Sequence, residues 1–454
     1  MGKQLEKISV SAGEDLLAFI PHIVGYWPEN SIVCIGMQGK RLRATMRLDL
    51  PPVDTVEPVC FAELAAVQLA SDRDADGCLL AIFGPDEWEQ GQDSPQAGIY
   101  HEFKAAFAAI GLPVRDGWYV GAEHWRSMEC MDPRCCPWPG KGIASIKESY
   151  VNTEFIFRGS MVRENPKAQI QELTALRDAE FAVSVASAGT VLQETLAMRG
   201  SVARQLGTSL GLWEQALHDW PTTPGPGLAA YLLASLADIA VRDAVIVALA
   251  TSPEWSLAGA AGLGLVSPDP SPPSVENPVL PCLGANFDAK QAAGSEIVLE
   301  DVIESLSDED LKRAVHDFGR VLVGEIDEID DGCAVGLVGV AGVAEAAGLA
   351  EVVGTAETAG PDWVRLDRAE PLLQFLAAST EASDKAPVLC LLGWIQWCKG
   401  RGTWAGHYFQ ACQAHQPGYR LAALLDELLA VGHIAECAKN SRTAWRGYGT
   451  DVAA

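Results

Sequence analysis

Near Asn165 the apolar residues change period, and that change restricts the fold more than any other feature of the chain. A period of two suits a strand and a period of 3.6 suits a helix, so one segment cannot serve as both. Before Asn165 the two patterns alternate. Ser31 to Met37 (SIVCIGM) is a short β-rich run, and Gly39-Lys40 is a turn. Arg41 to Leu50 (RLRATMRLDL) then alternates basic or polar with apolar residues, which predicts a hairpin stopped by Pro51-Pro52. Thr55 to Ser71 carries Val59, Leu64, Val67 and Leu69 at helical spacing, with alanines between. Gly77 to Phe83 (GCLLAIF) reads as a buried strand closed by Gly84-Pro85. Ala97 to Ile110 is a second helix, stopped by Gly111 and Pro113, and Trp118 to Trp125 is a further strand. The sum over residues 1–160 is an α/β domain, a mixed sheet with flanking helices and right-handed crossovers between parallel strands.

From Asn165 onward the pattern is helical. Lys167 to Met198, Ser201 to Trp220 and Leu228 to Ala250 read as helices of a domain spanning 161–265. Ser267 to Pro281 (SPDPSPPSVENPVLP) lacks too many N–H donors for a packed element and reads as a linker. It opens a proline-rich and acidic insert over 266–365, with one helix from Leu299 to Phe318. The carboxylates Asp327, Asp330 and Asp331 in that insert do not follow the spacing of a calcium loop and read as a solvated face. Over 366–454, Leu389, Leu392, Gly393, Ala405, Phe409, Cys412 and Pro417 fall at the spacing of a tetratricopeptide-like hairpin. Small residues let its two helices approach, Phe409 fills the groove, and Gly400 and Gly402 make the turn. The motif occurs once, which predicts a hairpin rather than a solenoid.

Charge then narrows the partners. Against 33 Lys+Arg stand 60 Asp+Glu, a formal net charge of -27. Such a surface repels phosphate backbones and anionic lipid, so neither nucleic acid nor membrane is an expected partner. The first apolar stretch, Leu16 to Val24, follows Glu14 and Asp15 and contains Pro21, unlike a secretory signal. Gly332 to Ala344 is apolar but too short to span a bilayer. A soluble, cytoplasmic protein is expected. Twelve cysteines are too dilute for a disulfide scaffold. Cys34, Cys60, Cys78, Cys282, Cys333, Cys390, Cys398, Cys412 and Cys437 are scattered and read as small buried hydrophobes.

The chemistry-bearing motifs are few. Phosphate-loop, dinucleotide-loop and zinc-protease signatures are absent from the sequence. Gly207-Thr208-Ser209-Leu210-Gly211 has the letters of a hydrolase elbow, but the residues before it read as helix where a strand is required. His22 is a general-base candidate; its plainer reading is a histidine that satisfies a backbone group where a helix breaks. Arg47 and Asp49 sit two apart on one strand face, to hold a substrate or to pair across the sheet. The most suggestive constellation is Cys130-x₄-Cys135-Cys136-Pro137, just past a strand end. These three thiols can pack structurally or form a local disulfide. They can bind zinc or Cu(I), with His124 or Asp132 as a fourth ligand. They can also offer a reactive thiol beside Arg134.

With these residues on view, the chain resembles an actinobacterial family, domain of unknown function 4192. The resemblance rests on Pro21-His22-x₂-Gly25-Tyr26-x-Pro28-x-Asn30-Ser31, Arg47-x-Asp49-Leu50-Pro51, the cysteine segment with Asp132, Pro133 and Gly140, and Leu392-Gly393-x₃-Trp397-x₂-Gly400. It implies an N-terminal α/β region followed by helices, and it carries no activity, cofactor or partner with it. The residues therefore leave two functions open. One is a non-enzymatic binding or assembly module that offers a helical surface to a protein partner. The other is an enzyme, a hydrolase or a thiol- or metal-dependent one, with its site on the α/β domain near His22, Asp49 and the cysteine loop. No cofactor is expected beyond a possible zinc ion, and the oligomeric state is not legible.

Overall fold

The computed structural model describes residues 12–51, 57–130, 132–158, 160, 162, 165–199, 202–267, 296–325, 360–381, 383–430, 432–439 and 443–445. They gather into two compact units divided between Gln169 and Ile170. The proline-rich linker after Ser267, the acidic run at 327–331, Cys282, Cys333 and the apolar stretch 332–344 lie outside the described residues.

The first unit runs α1 (Gly13–Val24), β1 (Ser31–Gln38), β2 (Arg41–Asp49), α2 (Pro58–Leu69), β3 (Gly77–Phe83), α3 (Ala97–Ala109), β4 (Val114–Val120), β5 (His124–Ser127), β6 (Lys141–Gly142), α4 (Ala144–Lys147) and α5 (Tyr150–Phe157). Six strands form one sheet in the order β2-β1-β3-β4-β5-β6, mixed because only β3 and β4 run parallel. Helices cover both faces, which is why β3 and the stretch Ile32 to Met37 of β1 are apolar without interruption. Val33, Ile35, Leu79, Ala81 and Phe83 pack with α1, α4 and α5, whereas Ile32, Cys34, Leu80 and Ile82 pack with α2 and α3. The fold class read from the sequence is the one observed.

Three local readings change. Trp118 to Trp125 is not a single strand. The chain reverses after Val120, and β4 and β5 pair antiparallel, with Val120 opposite Trp125. In α2, Val59, Leu64 and Val67 point outward, whereas Ala62, Ala65, Ala66 and Leu69 face the sheet and Phe61 packs at their edge. Small residues let that helix lie close, so the alanines with Leu69 and Phe61, not Val59, Leu64 and Val67, make the core contact. Cys60 is correspondingly exposed, whereas Cys34, Cys78, Cys390, Cys398, Cys412 and Cys437 are buried.

One ion pair gives this unit an acid-sensitive tie. Arg43 on β2 donates from Nε to Asp72 Oδ2 at 2.7 Å and from Nη2 to Oδ1 at 2.6 Å. The Arg43 side-chain bond holds the Asp72 carboxyl below its ordinary range. A depressed carboxylate stabilises above its unfolded value, and that contribution is lost as pH falls through the folded value. Asp72→Asn is therefore expected to cost about 1 kcal/mol at neutral pH. The loss should begin to shrink below about pH 4, where the unfolded carboxyl takes up its proton, and vanish once pH passes below the depressed folded value. Thermal melts of both proteins from pH 3 to 7 check it; parallel curves throughout would contradict it.

The second unit is helical and has one core. Buried residues from Ile170 to Cys437 form a single cluster, so helices before and after the proline-rich stretch share it. The expected helix from Leu228 to Ala250 is two, Pro226–Ser235 and Ile239–Ala250. Asp238 caps the second by accepting from the Ala240 and Val241 amides. The expected helix from Leu299 to Phe318 is likewise two, Leu299–Ser305 and Asp308–Leu322, with a capping box between Ser307 and Asp310. Pro166–Thr174 and Ala179–Arg199 replace the single helix read from Lys167 to Met198.

The C-terminal hairpin forms from Lys385–Cys398 and Gly402–His415, with Gly400 at φ 72° turning the chain. The first of these helices is buried at every residue, so it is core and offers no concave surface. Among the described residues, no helix is long and apolar enough to cross a membrane.

Candidate metal centre

Strand β5 delivers the cysteine segment, and its last residue seats it. Ser127 Oγ accepts from the amides of Glu129 (3.3 Å) and Cys130 (3.2 Å), closing a serine turn as the strand ends. The same hydroxyl donates to Asp116 Oδ1 at 3.4 Å. Further along, the Asp132 carbonyl accepts from the amides of Cys135 (3.1 Å) and Cys136 (2.8 Å), while its carboxylate accepts from the Arg134 amide at 2.9 Å. The segment therefore curls back, and the three sulfurs lie within 4.8 Å of one another.

A cation–aromatic stack fixes the far side of the loop. The Arg126 guanidinium lies 4.5 Å from the Trp138 ring centre and 5.4 Å from that of Trp88, and Nη1 donates to the Pro137 carbonyl at 3.2 Å. Tyr100 from α3 lies against Gly117, where a Cβ would collide with its ring, and donates to Glu129 Oε1 at 2.8 Å. Glu129 also pairs with Lys104. Nothing in the local sequence announces Trp88, Tyr100 or Arg126 as supports of this loop, because each arrives from a different strand, helix or turn.

The three thiols are not equivalent. The Asp132 amide, then the Cys136 and Cys135 thiols, hydrogen-bond to the Cys130 sulfur and lower its pKa. Burial pushes the Cys136 thiol up to about 11. Cys135 is exposed. Cys130, Cys135 and Cys136 are unbridged. Among the described residues they form a three-ligand group. The expected fourth ligands lie outside it: His124 Nδ1 meets Glu87 Oε2 at 3.1 Å, and Asp132 holds the Arg134 amide.

The other sequence candidates stand elsewhere. His22 is tied at both ring nitrogens, with Nε2 2.8 Å from Asn152 Oδ1 and Nδ1 2.9 Å from Ser160 Oγ, and its ring stacks on Phe155 at 4.8 Å. Asn152 Nδ2 donates to the Lys147 carbonyl, which leaves its oxygen as acceptor for the imidazole N–H. Arg47 pairs with Asp49 at 2.6 Å and donates to the Glu29 carbonyl at 3.2 Å, on edge strand β2. Four strand spacings separate β2 from β5 in the sheet, roughly 19 Å. His22, Asp49 and Cys130 are therefore not joined in one cleft. Ser209 of the formal elbow is buried inside the helix Ala203–Asp219, donating to the Gln205 carbonyl at 2.9 Å.

No curated protein and no solved structure matches the chain. A family described as a domain of unknown function, DUF4192, matches residues 14–260 and 348–434. Those stretches take in the six-stranded sheet, the thiol loop and the helical hairpin, and the chain belongs to that family.

Proposed function

We propose that the protein is a binding or assembly module, soluble in the cytoplasm, whose ligand is a protein partner. The observation that carries this reading is the set of large apolar side chains on the outer side of α2. A helix lying on a sheet needs one apolar face, and α2 spends Ala62, Ala65, Ala66 and Leu69 on it. Val59, Leu64 and Val67 then remain on the outside, 46%, 42% and 63% exposed. In a chain of net charge -27, three exposed apolar side chains on one helix, with Glu63 set among them, are the kind of surface a partner covers. The separation of His22, Arg47-Asp49 and the thiol loop also favours a binder over an enzyme assembled from all three. The enzymatic alternative retains one support, the lowered pKa of Cys130 on a partly open loop.

The test compares the full chain with a Leu64→Lys/Val67→Lys variant as bait in cross-linked extracts of the native host. We expect a defined protein to be retained by the wild type and reduced about tenfold by the variant, the size of losing one anchoring contact. Melting temperature should hold, since surface changes fall within about 0.5 kcal/mol. Equal capture by both baits would contradict the α2 assignment. Turnover of an ester, peptide or phosphate substrate, lost on Cys130→Ser, would favour the enzyme instead.

A further inference from the structure

We propose that Cys130, Cys135 and Cys136 together hold one thiophilic metal ion of closed d-shell, Zn²⁺ or Cu(I), as three thiolates with the remaining coordination position open. This stands apart from the partner reading above and survives its failure. Two geometric observations and one of chemistry support it. The sulfurs already lie within 4.8 Å of one another. Around a metal with bonds of about 2.3 Å they would sit roughly 3.8–4.0 Å apart, so closure needs less than about 1 Å of movement. The loop is also held from both ends before any metal arrives. Ser127 fixes Cys130, the Asp132 carbonyl fixes Cys135 and Cys136, and Arg126 between Trp88 and Trp138 fixes the chain just beyond. Finally, the donor set is all sulfur, which selects soft ions over Mg²⁺ or Ca²⁺.

The open position follows from the neighbours. Structural zinc sites close with four protein ligands, whereas sites that exchange a ligand keep three. Here His124 is engaged by Glu87 and the Asp132 carboxylate by a backbone amide, and Cys135 faces solvent. A small external thiol or a side chain of another molecule is then the natural fourth donor to Zn²⁺, while Cu(I) is satisfied by three. The geometry suits a site that acquires and passes on its ion. Binding converts any thiol still protonated to thiolate and releases that proton to solvent, with no change of oxidation state.

The experiment uses the reduced full chain, stripped of metal by chelator. Zn²⁺ and Cu(I) are titrated separately, each against a chromophoric competitor. We expect one ion per chain. Cys130→Ser, Cys135→Ser and Cys136→Ser should each weaken binding more than tenfold. Ser127→Ala removes only an orienting hydroxyl and should weaken it by about tenfold. Cys60→Ser, an exposed thiol on α2, should leave affinity unchanged. The arm that saturates first identifies the ion. Should a cysteine variant fail to fold by circular dichroism, the wild type and Ser127→Ala still decide. A folded, reduced wild type that takes up neither ion stoichiometrically overturns the proposal, as does Cys60→Ser losing as much affinity as Cys135→Ser.

Discussion

Lys399→Ala is expected to cost the helical unit about 3–5 kcal/mol, the penalty for leaving a buried charge without its partner. The Lys399 ammonium has no exposed side-chain surface. It lies 2.6 Å from Asp367 Oδ1 and 2.7 Å from Glu370 Oε2, and the Glu370 side chain is itself 9% exposed. The Trp445 ring covers the ammonium at 4.7 Å, and its indole N–H donates to Asp367 at 3.1 Å. Removing the cation leaves two carboxylates facing each other inside low-dielectric surroundings. Lys399→Met keeps most of the stem and should cost nearly as much, which separates charge from packing. Adding Glu370→Gln to Lys399→Met should recover part of the loss, because the buried charge is then gone. Urea denaturation followed by circular dichroism measures all three. A loss under about 1 kcal/mol for Lys399→Ala would mean that water reaches the pair.

The second large effect is at the hairpin interface. Gly393 lies where a Cβ would come within 2.6 Å of Phe409 Cδ1, and Phe409 is fully buried. The helix Lys385–Cys398 approaches Gly402–His415 closely because that hydrogen is all the space allows. Phe409→Ala is expected to cost about 3–5 kcal/mol through lost burial and the cavity it leaves. Gly393→Ala should cost about 1–3 kcal/mol by overpacking, despite the better helix propensity of alanine. The pair is coupled. Gly393→Ala combined with Phe409→Leu should be less destabilised than the sum, by about 0.5–2 kcal/mol. Strict additivity in thermal melts would show that the two residues do not share one groove.

The hairpin also shows which kind of information a sequence carries. Gly393, Ala405 and Phe409 could be placed together from spacing alone, because both helices and the turn at Gly400 are local and the contact repeats with a helical period. The same spacing could not say that Lys385–Cys398 is buried on all sides. That depends on helices closing over it that include Pro226–Ser235, at least 150 residues earlier in the chain. The site divides the same way. Three cysteines within seven residues are bound to lie near one another, so the thiol cluster was legible. Its supports, Arg126 between Trp88 and Trp138, and the engagement of His124 by Glu87, were not.

By itself, then, the sequence determined the element types, the α/β region before Asn165, the helices after it and the proximity of Cys130, Cys135 and Cys136. These follow from side-chain period, turn chemistry and chain length between neighbours, all local quantities. Only the tertiary structure decided the strand order β2-β1-β3-β4-β5-β6, the outward turn of Val59, Leu64 and Val67, the distance between Asp49 and the thiol loop, and the single core shared by helices from Ile170 to Cys437. Those depend on which apolar surfaces find each other across long stretches of chain. Burial energy is nearly indifferent to sequence separation, so no local pattern records the choice.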